Sequence, residues 1–450
     1  MKLFFGITLL ALVVLSGVAW WIQPRPVQDG KTLLVWCSDD NPARREQIEL
    51  FNRLNPQYLL RLDPISGGME KIIVQSLAGV GPDIFEVWPY ATSAFIDADI
   101  AWDMTDRLAE AGIDVHEDVW GAIYPVIMQR GRVYGFPRNA CTDAVFYNKA
   151  LFDQNGIPYP RSPMSQDEFL ELAGKLTTRD ANGRIKQFGF MYSWQWEFFI
   201  RQWGGHIYSK DGTRCALDAP EAIAAVQFMH DLIWKHHVAP TPDQETGMAT
   251  SGGWGSGMIT WLGGGRAAMA CGGRWWLCLL RSKKDYPDLR LGVVEVQFGP
   301  ARKYLGGGGA VMINKHSPRR EQAFEFIRFL AGREYNELVN HQADGISAMK
   351  RFSYTGQFVR DPEFPEEDDN NVWREVMEHG GPVETCEFVN SATVNRIVGT
   401  QLDLVRSNRK SAEEAMRTAA RQVNEEIEKT LKSSPALRTR YEKLTDGRVP

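Results

Sequence analysis

The sequence predicts an α/β fold built as two lobes joined by a hinge, and three observations support it. From residue 32 onward, apolar runs that read as strands alternate with segments whose apolar residues recur at helical spacing. At 450 residues, with 44% hydrophobic and 24% charged residues, the chain is globular in composition but too long for one ordinary core. The stretch 132–152, RVYGFPRNACTDAVFYNKALF, then interrupts the alternation with a polar strand, and a new set of helices follows. A polar strand between two α/β units suits a hinge, because the crossing chain lines a cleft and bends when it closes.

Residues 32–37, TLLVWC, form the continuous apolar run expected of a central parallel strand. Ser38, Asp39, Asp40 and Asn41 follow, with Pro42 at a natural first helical position behind an Asn cap and Ile48, Phe51 and Leu54 on one helix face. The strand's carboxyl end therefore meets a helix N-terminus, where ligands bind in open α/β sheets. The four polar residues either cap the helix alone or cap it and also hold a ligand. Residues 58–63 and 70–77 read as the second strand and helix, and 83–87 as a third strand leading to Trp88, Pro89 and Tyr90. By the same argument this turn faces the cleft, unless its aromatics pack under the next helix. At the hinge, 132–136 closes on Pro137. Residues 138–142 are polar and, if buried, need partners; Arg138 and Asn139 are the candidate ligand contacts there. Residues 144–147 are a strand, and Asn148 with Lys149 opens a helix.

Beyond the hinge, Ser165 and Glu168 form a capping box, and Phe169, Leu172, Ala173 and Leu176 give an apolar face. A strand at 188–191 runs into Tyr192, Ser193, Trp194, Gln195, Trp196 and Glu197. Three large aromatics among polar groups make a poor core. They make a reasonable sugar platform: C–H faces stack on the ring while hydroxyls reach Gln195 or Glu197. Residues 218–238 form a helix whose terminal His236 and His237 suit the dipole better than a metal. The stretch 246–265, with Trp254 and Trp261, reads as a mobile lid or a cleft wall. Its Gly-rich end at 263–266 lacks the Lys-Ser/Thr of a phosphate loop, which disfavours nucleotide. A buried strand at 291–297 precedes a glycine-rich return crossing at 306–309, where Gly308 lets the backbone approach a ligand closely. Residues 310–314 are a strand, and Ser317 and Pro318 open a helix with Ala323, Ile327 and Leu330 inward. Residues 366–369 read as a solvated acidic turn, and Ser411 starts the last helix, with Ala415, Ala419, Val423 and Ile427 on one stripe.

The formal net charge of -5 argues against a nucleic-acid partner. Behind Lys2, the uncharged stretch 3–22 is long enough to span a bilayer, with Trp20 and Trp21 at its interface. It reads equally as a secretory signal ending near Ala19, and on either reading the body is exported. Six cysteines at irregular spacing read mostly as buried free thiols, with room for one bridge. No Cys/His cluster has zinc spacing, and neither metal nor cofactor is expected.

The segment 134–157, YGFPRNACTDAVFYNKALFDQNGI, resembles the crossover of the extracellular solute-binding proteins of ABC transporters, in the sugar-binding family of the maltose-binding type. GPDIF at 81–85, GGGRAAMACGGRW at 263–275 and GGGGAVMINKHSPRREQAFEFIRFLA at 306–331 resemble further family stretches in matching order. The resemblance implies a periplasmic-binding-protein type II fold. After an N-terminal signal or anchor at 1–29, residues 30–140 plus 292–345 would form the N-terminal lobe, and 141–291 plus 346–450 the C-terminal lobe. It also implies capture of a sugar or oligosaccharide outside the cytoplasmic membrane without catalysis, and delivery by a monomer to permease subunits. It places a sugar-contacting aromatic at Trp88 or Tyr90, and Trp275 in the cleft with Gly273 and Arg274 beside it. Where the family has a Gly-hydrophobic-Pro turn, this chain has Gly345, Ile346 and Ser347. Two alternatives stay open. One is a phosphorylated polyol or other small anion, if Arg138 and Arg274 both face the cleft. The other is a carbohydrate-active enzyme using carboxylates such as Asp40 and Glu197.

Overall fold

A computed structural model describes Val14 and residues 30–446, apart from 65–67, 90, 193–194 and 248–256. Thr32–Ser38 is the hub of a first sheet, pairing in parallel with Tyr58–Pro64 on one side and Ile84–Val87 on the other. Ala310–Ile313 adds antiparallel to Ile84–Val87 and carries Gly135–Pro137 on its far side. Helices Ala43–Leu54 and Arg320–Ala331 cover this sheet through interlocked aromatics. Trp36 meets Phe326 with ring centroids 5.0 Å apart, and Phe51 meets Phe329 edge-on at 5.3 Å.

A second sheet is centred on Cys141–Asn148, the strand that leaves the hinge. It runs antiparallel to Ala267–Gly273, which lies parallel to Ile185–Tyr192. Phe169 packs edge-on against Phe190 and Phe298, at 4.7 and 4.8 Å, under this sheet. Helices Pro220–Trp234, Ser391–Arg406 and Ala412–Ser433 pack on one another beside it. The chain crosses between the sheets three times, from Pro137 to Cys141, from Gly307 back to Ala310, and again after Ile313 on the way to Gly380–Gly381, which pairs with Tyr304–Gly307.

The lobe division expected from the sequence needs correction at its second boundary. Residues 292–307, expected in the N-terminal lobe, belong to the second sheet: Leu291–Val294 pairs with the far end of Cys141–Asn148, and Tyr304–Gly307 with its start. The physical reason is backbone pairing, since buried Cys141–Asn148 would otherwise present unmatched N–H and C=O groups along that edge. The stretch 246–265 forms helices at its ends, Pro242–Gly247 and Met258–Gly263, and Trp261 is buried. The acidic turn is not free in solvent. Arg281 grips Glu367 through two bonds of 2.7 Å, and Lys149 holds Asp368 at 2.9 Å. Ala412–Ser433 is followed by a further helix, Pro435–Leu444. All six cysteines are free thiols. Among the described residues, no helix is long and apolar enough to cross a membrane, and no group of side chains could hold a metal ion.

Candidate functional site

The polar hinge segment finds the partners that burial demands, and they come from the ends of the first sheet's strands. Ser38 donates its hydroxyl to Glu86 Oε2 at 2.6 Å, and the Asp39 N–H donates to the same oxygen at 3.1 Å. Arg138 donates from Nε and Nη2 to Glu86 Oε1, at 3.2 and 2.7 Å, and from Nη1 to Asp344 Oδ2 at 2.9 Å. Arg44 reaches Asp344 at 2.6 Å and Asp39 at 3.0 Å. The Asn41 and Gln47 amides also donate to the Asp344 carboxylate, at 3.1 Å each. Asn139 donates to the Asp344 carbonyl at 2.7 Å and accepts from the Gly309 N–H at 3.0 Å. Ala140 and Ile346 exchange both backbone bonds.

Burial acts to raise the Glu86 and Asp344 carboxyls, but the two guanidiniums more than offset it and hold both below the usual carboxylate range. Arg138 is held well above its ordinary value by the same pairing, although burial opposes it. Asp39 goes the other way, because burial outweighs the pull of Arg44. Pro42, expected at the first helical position, is itself the cap residue of Ala43–Leu54; Asn41 lies one residue earlier and accepts from the Ala43 N–H at 3.0 Å, with Asp40 exposed beside it.

The second sheet presents a different edge. Ala267–Gly273 ends in a single turn, Arg274–Trp276. Arg274 is buried and turned inward. It donates to the carbonyls of Gly345 and Asn340, at 2.8 and 2.9 Å, and lies over the Phe358 ring at 5.1 Å. Burial lowers its pKa to about 10. Trp275 is half-buried and meets Trp276 edge-on at 6.2 Å. Asp143 stands opposite Gly273 in the ladder, and burial pushes its carboxyl up to about 6.

The structure therefore joins Ser38, Asp39, Asn41, Arg138 and Asn139 in one network, and sets Gly273, Arg274 and Trp275 side by side. The loop through Asp344 and Gly345 bonds to both groups. A Cβ at Gly308 would lie 2.1 Å from the Asn139 carbonyl oxygen, so the crossing chain itself requires that glycine. Trp88 is half-buried, and its carbonyl accepts from Ala91 at the start of the next helix. Trp196 is buried, which sets it among the core rather than on the open platform expected there. Gln195 and Glu197 are half-buried. Glu197, its carboxyl raised by burial, lines a small open pocket with Arg201, His206 and Glu384, apart from the hinge network. Tyr90, Trp194 and Trp254 lie outside the described residues. Glu86, Arg44, Asp344 and Asp143 escaped the sequence reading. Glu86 could have been found as a carboxylate inside the short buried strand IFEV, where only a paired charge is tolerated.

Comparison with known proteins agrees with this architecture. The family model for the bacterial extracellular solute-binding protein matches residues 38–337. The sn-glycerol-3-phosphate-binding periplasmic protein UgpB of Shigella dysenteriae is 21% identical over 435 residues, spanning 90% of this chain and 94% of its own. Among solved structures, an ABC substrate-binding protein of Listeria monocytogenes in complex with cycloalternan superposes with a TM-score of 0.74 at 20% identity, covering 88% of this chain and 98% of its own. Maltose-bound MalE3 of T. maritima gives 0.69 at 20% identity, covering 87% and 99%. These likenesses support the two-lobed type II fold, with the hinge segment between its sheets. With a family match across most of its length, the chain belongs to the bacterial extracellular solute-binding proteins.

Proposed function

We propose that this chain captures a neutral sugar or oligosaccharide outside the cytoplasmic membrane and delivers it, unaltered, to the permease of an ABC importer. The observation that carries the choice of ligand is the internal use of Arg138 and Arg274. A phosphorylated ligand needs a cationic clamp, and both guanidiniums that the sequence offers for one are engaged with Glu86, Asp344 and backbone carbonyls. Structurally similar proteins are complexes with cycloalternan, maltose and acarbose, which supports a carbohydrate here. The relative that binds glycerol 3-phosphate, at 21% identity, supplies the competing ligand.

The lobes on this reading are residues 30–140 with 308–345, and 141–307 with 346–446. They close about the crossings at 138–140, 308–309 and 345–346 when a ligand makes contacts on both sides at once. Catalysis is no part of the reading; Asp40 follows Thr32–Ser38 of the first sheet, and Glu197 lies in the helix after Ile185–Tyr192 of the second. The segment 1–29 directs export or tethers the body to the membrane, and the binding unit is a monomer. A thermal-shift screen of neutral sugars, phosphorylated polyols and polyamines tests the reading, because a bound ligand raises the melting temperature by mass action. A neutral sugar should give the largest shift. A shift confined to phosphorylated polyols would transfer the assignment to an anion.

A further inference from the structure

Asp143 is the third residue of Cys141–Asn148, directly after the hinge, and is half-buried. Its ladder partner is Gly273, the last residue of Ala267–Gly273. That places it beside the carboxyl ends of the parallel strands Ala267–Gly273 and Ile185–Tyr192, the edge where open α/β sheets bind ligands. Gly273 explains how two side chains gather there. A Cβ on it would lie 2.7 Å from Trp275 Nε1 and 3.6 Å from Asp143 Oδ1, so the indole and the carboxylate flank one point that only glycine leaves open. Toward the hinge, Cys141 lies within electrostatic reach of both Asp143 and Asp344, which ties this edge to the network of the first sheet.

What sets Asp143 apart is its lack of company. Asp344 and Glu86 each have a guanidinium within 3 Å. Among the described residues, no hydrogen bond or ion pair reaches the Asp143 carboxylate. Asp143 is half-buried, and its oxygens are not among the side-chain atoms that are shut away from water without a partner, so its acceptor positions stay open. What they can accept comes from outside, because an ionised carboxylate offers several lone pairs and no donor. Sugar hydroxyls supply donors. A phosphate brought close adds negative charge, and like charge discriminates by repulsion.

We propose that Asp143 is a ligand-recognition residue that accepts hydrogen bonds from the hydroxyls of a neutral sugar lying against Trp275 and turns away phosphorylated ligands. The assignment rests on the sugar reading above and adds to it the group that selects against anions.

The test is calorimetric titration of the full chain and of the Asp143→Asn and Asp143→Ser variants with maltotriose, mannotriose, tagatose and sn-glycerol 3-phosphate. For a sugar that binds the unaltered protein, Asp143→Ser should weaken binding at least ~10-fold, as for loss of a hydrogen bond to a charged group. Asp143→Asn, which keeps one acceptor oxygen and loses the charge, should weaken it less and should raise affinity for glycerol 3-phosphate. Melting curves of both ligand-free variants at or above that of the unaltered protein show that folding is intact. Sugar affinity unchanged within about twofold in both variants would overturn the role of Asp143 and leave the sugar reading standing. An unaltered protein that binds glycerol 3-phosphate and none of the sugars would overturn both.

Discussion

The two sheets reach the hinge with polar groups in opposite conditions. On the first sheet's side, two guanidiniums, Arg44 and Arg138, sit among three carboxylates, Asp39, Glu86 and Asp344, and Asn41, Gln47 and Asn139 join in. On the second sheet's side, Asp143 stands beside Trp275 with its carboxyl pushed up by burial alone. The difference separates two uses of buried charge. Paired charge fixes the geometry of the crossing chain, because removing one member strands the rest. Asp143, half-buried and without a partner, is on our proposal open to an incoming donor.

The comparison is broken most forcefully at Arg138. Arg138→Met leaves Glu86 and Asp344 short of a cation and should cost about 3–5 kcal/mol in urea unfolding. A loss under about 1 kcal/mol would mean that the network is not what holds the hinge. The carboxyl side of the same network responds to acid. Glu86 and Asp344 are held below their unfolded values, so their contribution is fully present above the ordinary carboxylate range and fades as pH falls through the folded values.

Asp143 should respond with the opposite sign. Its folded pKa, about 6, lies above that of the unfolded chain, so the native state holds the proton longer and stability declines as pH rises from about 4 to about 6. The groups near it are the thiols of Cys141 and Cys271, with Arg138 and Asp344 beyond Cys141. Asp143→Asn should therefore stabilise the ligand-free protein by about 1–3 kcal/mol at pH 7.5 and have little effect below pH 4. Urea melts at both pH values read this directly, and a destabilised variant at pH 7.5 would show that the carboxylate has a partner after all. Trp275→Ala should cost about 1 kcal/mol or more of sugar affinity by calorimetry, in line with aromatic contacts; unchanged affinity would remove the ring from the site. The smallest effect is a control far from the hinge. Arg421 and Glu425 form an exposed pair one helical turn apart at 2.6 Å, and Arg421→Ala should cost no more than ~0.5 kcal/mol.

Much of the fold was legible because local chemistry and tertiary role agree. TLLVWC is a parallel strand because an apolar run buried on both faces has few other homes. Ser165 with Glu168 forms the full capping box, and Asn148 caps the helix that begins at Lys149. The hinge was visible because a polar stretch between apolar strands demands partners. Which partners was not visible, since Asp344 lies some two hundred residues from Arg138 and 300 from Arg44 in the chain. The lobe boundary at 292–307 was misplaced for the same reason: Leu291–Val294 is an apolar strand that suits either sheet, and only the unfilled edge of Cys141–Asn148 decides between them. Arg274 shows the limit most clearly. Its charge reads as a ligand group, yet its direction, toward the carbonyls of Asn340 and Gly345, is set by a loop about seventy residues away.

On the proposed function the cleft closes on an uncharged carbohydrate and returns it whole. Titrating the full chain with the neutral sugar that gives the largest thermal shift, then recovering and chromatographing that sugar, tests it in a single sample. Binding should be saturable and one-to-one, with the sugar recovered intact. Cleaved sugar, or heat released by glycerol 3-phosphate alone, would contradict it.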